Sequence, residues 1–97
     1  MPRFMKWNLS LEAEFFYQQG LRRNKAEKYA EALLSLDIAV EYEPDYADAW
    51  SQRGIALGSL NRHEDAIASF DRAVSLRPDA SWVWHNRGIA LGKLGRY

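Results

Sequence analysis

The sequence predicts an all-α protein, a stack of antiparallel helical hairpins with five main helices. The 97-residue chain repeats itself at an offset of 34, so that "WSQRGIALGSLNRH" at 50–63 returns as "WHNRGIALGKLGRY" at 84–97. Apolar residues inside each copy fall at helical spacing. Proline recurs at one place in the period, as Pro44 and Pro78, where it stops one helix before the next begins.

The same offset aligns Gly20, Gly54 and Gly88; Phe16, Trp50 and Trp84; Ala32 and Ala66; and Ala39 and Ala73. A period of this length marks a stacked repeat, in which one unit cannot bury its apolar face alone.

The elements follow in order. Residues 1–12 precede the repeats as an N-terminal capping segment. There Trp7, beside Phe4 and Leu9, is placed to cover the open end of the first hairpin, and Ser10, followed by Glu12 and Glu14, reads as a helix start. Residues 13–46 form the first unit and 47–80 the second, while 81–97 supply only the first helix of an incomplete third. In the second unit one apolar run is Trp50, Gly54 and Leu57, and the other is Ala66, Ile67, Phe70, Ala73 and Val74. Both have the spacing of an amphipathic helix, and the polar "LNRHED" between them is a short turn. Glycine inside a helix costs about 1 kcal/mol relative to alanine, so three at equivalent places call for a close approach of helices. Gly54 and the small Ala66 are expected to let the helices draw together while Trp50 and Phe70 fill the flanking space. Asp45 and Asp79, following the prolines, are placed to cap the next helices.

These residues resemble the tetratricopeptide repeat family, whose pattern is W-x2-L-G-x2-Y, then A-x3-F, an Ala and a Pro. The second unit matches at Trp50, Gly54, Ala66, Phe70, Ala73 and Pro78, and the first at Phe16, Gly20, Ala32, Leu36, Ala39 and Pro44. The third shows Trp84 and Gly88, and the resemblance spans residues 13–97. Two positions depart from the pattern. The Leu is Gln19, Arg53 or Arg87, and the Tyr is Arg23, Leu57 or Leu91. Arg53 and Arg87 are expected to lay their stems along the helix and reach an acid, and Arg23 marks a more polar first unit.

The resemblance implies a right-handed superhelical stack, a TPR-like α-solenoid, whose first helices line a concave face that receives a peptide or a partner's helix. The candidate positions are Tyr17, Gln18 and Leu21 in the first unit, Asp48, Ser51, Gln52 and Ile55 in the second, and Trp82, His85 and Asn86 in the third. Amide and hydroxyl groups among apolar ones suit an extended peptide whose backbone needs hydrogen bonds. Trp82 stands where the other units carry Glu14 and Asp48, and is a candidate anchor. Chaperone co-factors of this family hold a terminal carboxylate with Lys, Arg and Asn. The corresponding places here are Tyr17, Leu21, Gln52, Trp82 and Asn86, so that ligand class is not expected.

Charge and composition narrow the partners. Thirteen Lys and Arg balance thirteen Asp and Glu, leaving no net field to draw nucleic acid or a membrane surface. Residues 29–48 hold six acids and no base, which reads as a solvated helix face or as a surface that would repel acidic ligands or pair with the basic ends of another copy. No cysteine is present, which removes disulfides, thiolate metal sites and thiol nucleophiles. His63 and His85 occupy non-equivalent places, and no zinc-protease, nucleophile-elbow or phosphate-loop pattern occurs. No enzyme, cofactor or metal is therefore expected, with catalysis kept only as a remote alternative. "MPRFMKWNLSLE" has no apolar stretch long enough for a signal peptide, and the chain reads as soluble and cytoplasmic. A protein or peptide is the expected partner. The alternative is a homodimer through the C-terminal helix, where Ile89, Leu91, Leu94 and Tyr97 would form an uncovered apolar strip.

Overall fold

The structure, a computed structural model, describes residues 2–95, with side chains from Leu11 onward. Its helices are α1 (Pro2–Lys25), α2 (Tyr29–Tyr42), α3 (Ala47–Ser59), α4 (His63–Leu76) and α5 (Ser81–Lys93), and the described residues include no strand. α1 pairs with α2 and α3 with α4 as hairpins, while α2 lies against α3 and α4 against α5. α1 also touches α3, and α3 touches α5, but α2 and α4 stand apart. First helices thus lie closer together than second helices, and the stack bends toward its first-helix side. The molecule measures 48 × 28 × 17 Å, the elongated form of a solenoid whose units meet only their neighbours.

The helix expected to start at Ser10 begins at Pro2 and runs through to Lys25. The expected packing of Phe4, Trp7 and Leu9 lies outside the described side chains. Asp45 and Asp79 do not cap. Tyr46 and Ala80 hold the N-cap positions of α3 and α5, without a side-chain cap bond, so each aspartate sits one residue too early to reach the first turn. Asp45 faces Arg72 instead, at 3.4 Å.

The hairpin turns share one device. Glu27, Asn61 and Gly95, spaced 34 apart, take positive φ of 61°, 65° and 73°. Behind the first two, the N–H of Lys28 donates to the Arg23 carbonyl at 2.8 Å and that of Arg62 to the Leu57 carbonyl at 2.9 Å, closing the helix end. Glycine takes this conformation freely and asparagine tolerates it, whereas glutamate is strained there.

Each complete hairpin is built on a glycine. A β-carbon at Gly20 would lie 2.5 Å from Leu36 Cγ, and one at Gly54 would lie 2.5 Å from Phe70 Cε1. The large side chain therefore seats directly on the glycine rather than beside it, and Ala66 stands over Gly58. Leu36 gathers Ala32, Ala39, Ala49 and Ala56 in one core, while Phe70 joins Leu57, Ala66, Ala73, Val74, Ala80, Val83 and Ala90 in the other. The second core runs across the hairpin boundary into α5. A β-carbon at Gly88 would meet nothing within 4 Å, and no helix follows α5 among the described residues.

A second recurring group fastens hairpin to hairpin. The Trp50 indole donates to the Pro44 carbonyl at 2.8 Å and Trp84 to Pro78 at 2.9 Å. Over these rings lie the guanidinium groups of Arg53 and Arg87, at 5.6 and 5.7 Å from the centroids. Both arginines reach an acid of the preceding second helix, Arg53 to Asp37 at 2.7 Å and Arg87 to Asp71. Arg53 also donates to Ser69 Oγ at 2.7 Å, so one side chain of α3 ties α2 to α4.

Three stability outcomes follow. Gly54→Ala should lower Tm, because displacing a packed ring costs about 1–3 kcal/mol, more than the helix-propensity gain of about 1 kcal/mol. Gly88→Ala, with open space at its β-carbon, should raise Tm by about 4–8 °C for a gain of about 1 kcal/mol. Thermal unfolding of the two variants side by side reads the opposite signs. Glu27→Gly should stabilise by about 1 kcal/mol through relief of the left-handed backbone, measured as a higher urea midpoint at unchanged slope.

Candidate functional site

The candidate positions are carried on α1, α3 and α5, and the structure joins them into two regions. At the α1 end of α3, Tyr17 is half-buried, with its ring centroid 5.0 Å from that of Tyr46. Glu14 accepts from the Tyr46 hydroxyl and from the exposed Gln18 amide, each at 2.7 Å. These two donors, Gln18 first, hold the Glu14 carboxyl below its ordinary pKa. Burial, then the nearby charges of Asp48 and Glu14, push the Tyr17 hydroxyl up. Tyr46 is pushed up in the same way, by burial and by its bond to Glu14. Both phenols therefore remain neutral donors.

Leu21 is half-buried on α1. Asp48 is engaged by Arg77 at 3.2 Å. Ser51 does not line an open strip, because it is 1% exposed and its hydroxyl donates to the Ala47 carbonyl at 3.0 Å. Gln52 is partly spoken for, since the Asn24 amide donates to its backbone carbonyl at 3.1 Å and to its side-chain oxygen at 3.0 Å. Asn24 is the residue that sequence reasoning missed. It is 7% exposed, bridges α1 to α3, and leaves its own Oδ1 buried without a partner among the described residues. Its signal was positional, for the other units carry Gly58 and Gly92 at the same place.

The second region is a cleft of about 250 Å³ between α3 and α5. Gly54, Ile55, Phe70, Ile89 and Ala90 give it an apolar lining, with Asn86, His63 and Lys93 adding polar groups. Ile55 and Asn86 of the candidate strip thus meet in one hollow, while Trp82 and His85 lie outside its lining as exposed residues at the start of α5. Ile89 is 49% exposed, Leu91 and Leu94 are half-buried, and Tyr97 lies outside the described residues.

The acidic stretch 29–48 is largely answered within the molecule. Asp37 and Asp45 pair with Arg53 and Arg72 of the following unit, and Asp48 pairs with Arg77 within its own. No group of three or more His, Asp or Glu placed to hold a metal occurs among the described residues. Nor is any described helix long and apolar enough to cross a membrane.

A family model described as tetratricopeptide repeat matches residues 17–81. Among solved structures, a mutant of MamA is similar, with a TM-score of 0.82 and 26% identity over 97% of this chain and 71% of that one. A double mutant of MamA RS-1 gives a TM-score of 0.78 and 28% identity over 86% of this chain, which spans 47% of that protein. No curated protein matches the sequence.

The hydrogen bonds at Glu14 give a pH signature. A depressed native pKa means that ionised Glu14 favours the fold above its unfolded pKa, a contribution lost as pH falls through the native value. Tyr46→Phe removes one donor, so the Glu14 carboxyl followed by NMR titration should move up toward its ordinary value. The variant should lose stability at neutral pH and little once Glu14 is protonated.

Proposed function

Because the chain belongs to the tetratricopeptide repeat family, we propose that it is a non-enzymatic scaffold holding an extended peptide or a helix of a protein partner along its first-helix side. The observation that carries this reading is the cleft between α3 and α5, where apolar Ile55, Ile89 and Ala90 lie next to the Asn86 amide. An apolar hollow supplies contact area, and one amide can donate to a peptide carbonyl and accept from its N–H, so backbone and side chain are both engaged. The inward bend of the first helices lets a ligand meet α1, α3 and α5 together, with the neutral Tyr17 and Tyr46 hydroxyls at the far end. Balanced overall charge makes contact area and hydrogen bonding, rather than long-range attraction, the source of affinity.

Selection from a displayed library of unstructured peptides on the immobilised protein tests this. Enriched peptides should lose about tenfold or more in affinity on Ile55→Ala or Asn86→Ala, a change of about 1.4 kcal/mol or more. Peptides that bind both variants as tightly as the parent would remove the cleft from the account.

A further inference from the structure

We propose that the cleft between α3 and α5 is a subsite for a side-chain carboxamide, an Asn or Gln of the partner peptide, seated over Gly58 and bonded to Asn86. This choice of ligand residue rests on the scaffold reading above. The molecule holds two equivalent junctions of first helices, α1 with α3 and α3 with α5, and they are closed differently. At the first, the filling group is Asn24. Its side chain is 7% exposed, and its amide nitrogen donates to the Gln52 carbonyl at 3.1 Å and to Gln52 Oε1 at 3.0 Å.

The second junction repeats these positions 34 residues on. Asn86 stands for Gln52, Ile89 for Ile55 and Phe70 for Leu36, but Gly58 stands for Asn24. Both Gly58 and Asn86 line the cleft of about 250 Å³, so the hollow lies where the bridging amide is missing. A β-carbon at Gly58 would meet only Ala66 Cβ, at 3.9 Å, which leaves room for a side chain there. α3 and α5 also touch less extensively than α1 and α3, as the loss of that bridge requires. The turn's own carboxamide does not fill the gap. Asn61 is exposed, faces His63 at 3.3 Å and is absent from the lining.

The lining states which group completes it. Asn86 carries the same pair of acceptors that Gln52 presents to Asn24, a side-chain oxygen and a backbone carbonyl. Lys93, where the first junction has Ser59, lines the cleft, and no acid does. A Lys or Arg of the ligand would bring a second cation beside Lys93. An Asp or Glu would set a carboxylate, which only accepts, against two acceptors. A hydrocarbon side chain would cover those acceptors and leave them unpaired. A carboxamide meets every demand. Its NH2 donates twice, its oxygen accepts from the Lys93 ammonium, and its methylene stem lies between Ile55 and Ile89. At the first junction the Asn24 oxygen has no such donor and is buried without a partner among the described residues.

The test is an NMR titration of the whole isotope-labelled chain with short alanine peptides. These are capped at both ends without a primary amide and carry a central Gln, Asn, Leu, Glu or Lys. The Gln or Asn peptide should shift the Gly58 and Asn86 resonances and bind about tenfold or more tightly than the other three, since a site built on hydrogen bonds rejects a group that cannot make them. Gly58→Asn places the chain's own carboxamide in the cleft and should abolish those shifts. Gly92→Asn, the same change outside the lining, should leave them. If Gly58→Asn misfolds, the peptide series decides alone. Equal binding of the Leu peptide, preference for Glu or Lys, or no shift at Gly58 and Asn86 from any peptide overturns the carboxamide subsite. The scaffold reading falls separately, only if the library peptides ignore Ile55→Ala and Asn86→Ala.

Discussion

The structure depends on the seating of one large side chain on a glycine in each complete hairpin. Leu36 on Gly20 and Phe70 on Gly54 bring the two helices of a unit closer than any β-carbon would allow. Interiors pack at crystal-like density, so this spacing dictates the rest of the mating surface. Alanine lines it at 32, 39, 66 and 73 because larger residues would hold the helices apart. Each hairpin then has a defined width, and units of equal width can stack in one register.

Stacking is the task of the Trp–Arg group, which works across hairpins rather than within them. An arginine held over a tryptophan ring while bonded to an acid of the previous unit is fixed at both ends, and its planar fork loses less freedom than a lysine would. Arg53 performs this between Asp37 and Ser69, and Arg87 repeats half of it with Asp71. The same pairings explain the uneven charge along the chain. Asp37 and Asp45 stand opposite Arg53 and Arg72 of the next unit and Asp48 opposite Arg77 of its own, so part of a local surplus becomes ion pairs.

Much of this was legible in the sequence because a repeat reports the same packing several times. The 34-residue register marked the hairpins, the proline stops and the arginines that needed an acid. Three features were not legible. Cap placement failed by one residue, since Asp45 and Asp79 lie just outside α3 and α5 and a propensity rule does not resolve a single position. Ser51 was read as open, yet helix periodicity alone does not say which neighbour covers a small side chain, and it is buried. Asn24 escaped because its role is a bond to Gln52 across the α1–α3 junction, a contact 28 residues away that no local pattern encodes. The glycine periodicity was correctly read as a need for close approach, and Gly88 shows its limit. Among the described residues no side chain seats on it.

The units are therefore chemically alike but unequally covered. α3 is enclosed by α1, α2, α4 and α5, whereas among the described residues α5 is covered by α4 and by the edge of α3. Local opening in such a stack should follow coverage rather than sequence. Residue-resolved amide hydrogen exchange on the 97-residue chain measures this directly, because "RGIALG" occurs identically in both helices and intrinsic exchange rates are nearly matched. Protection of Ala56 and Leu57 well above that of Ala90 and Leu91 is the result expected if glycine-seated packing holds the units together. Equal protection in the two copies would contradict it.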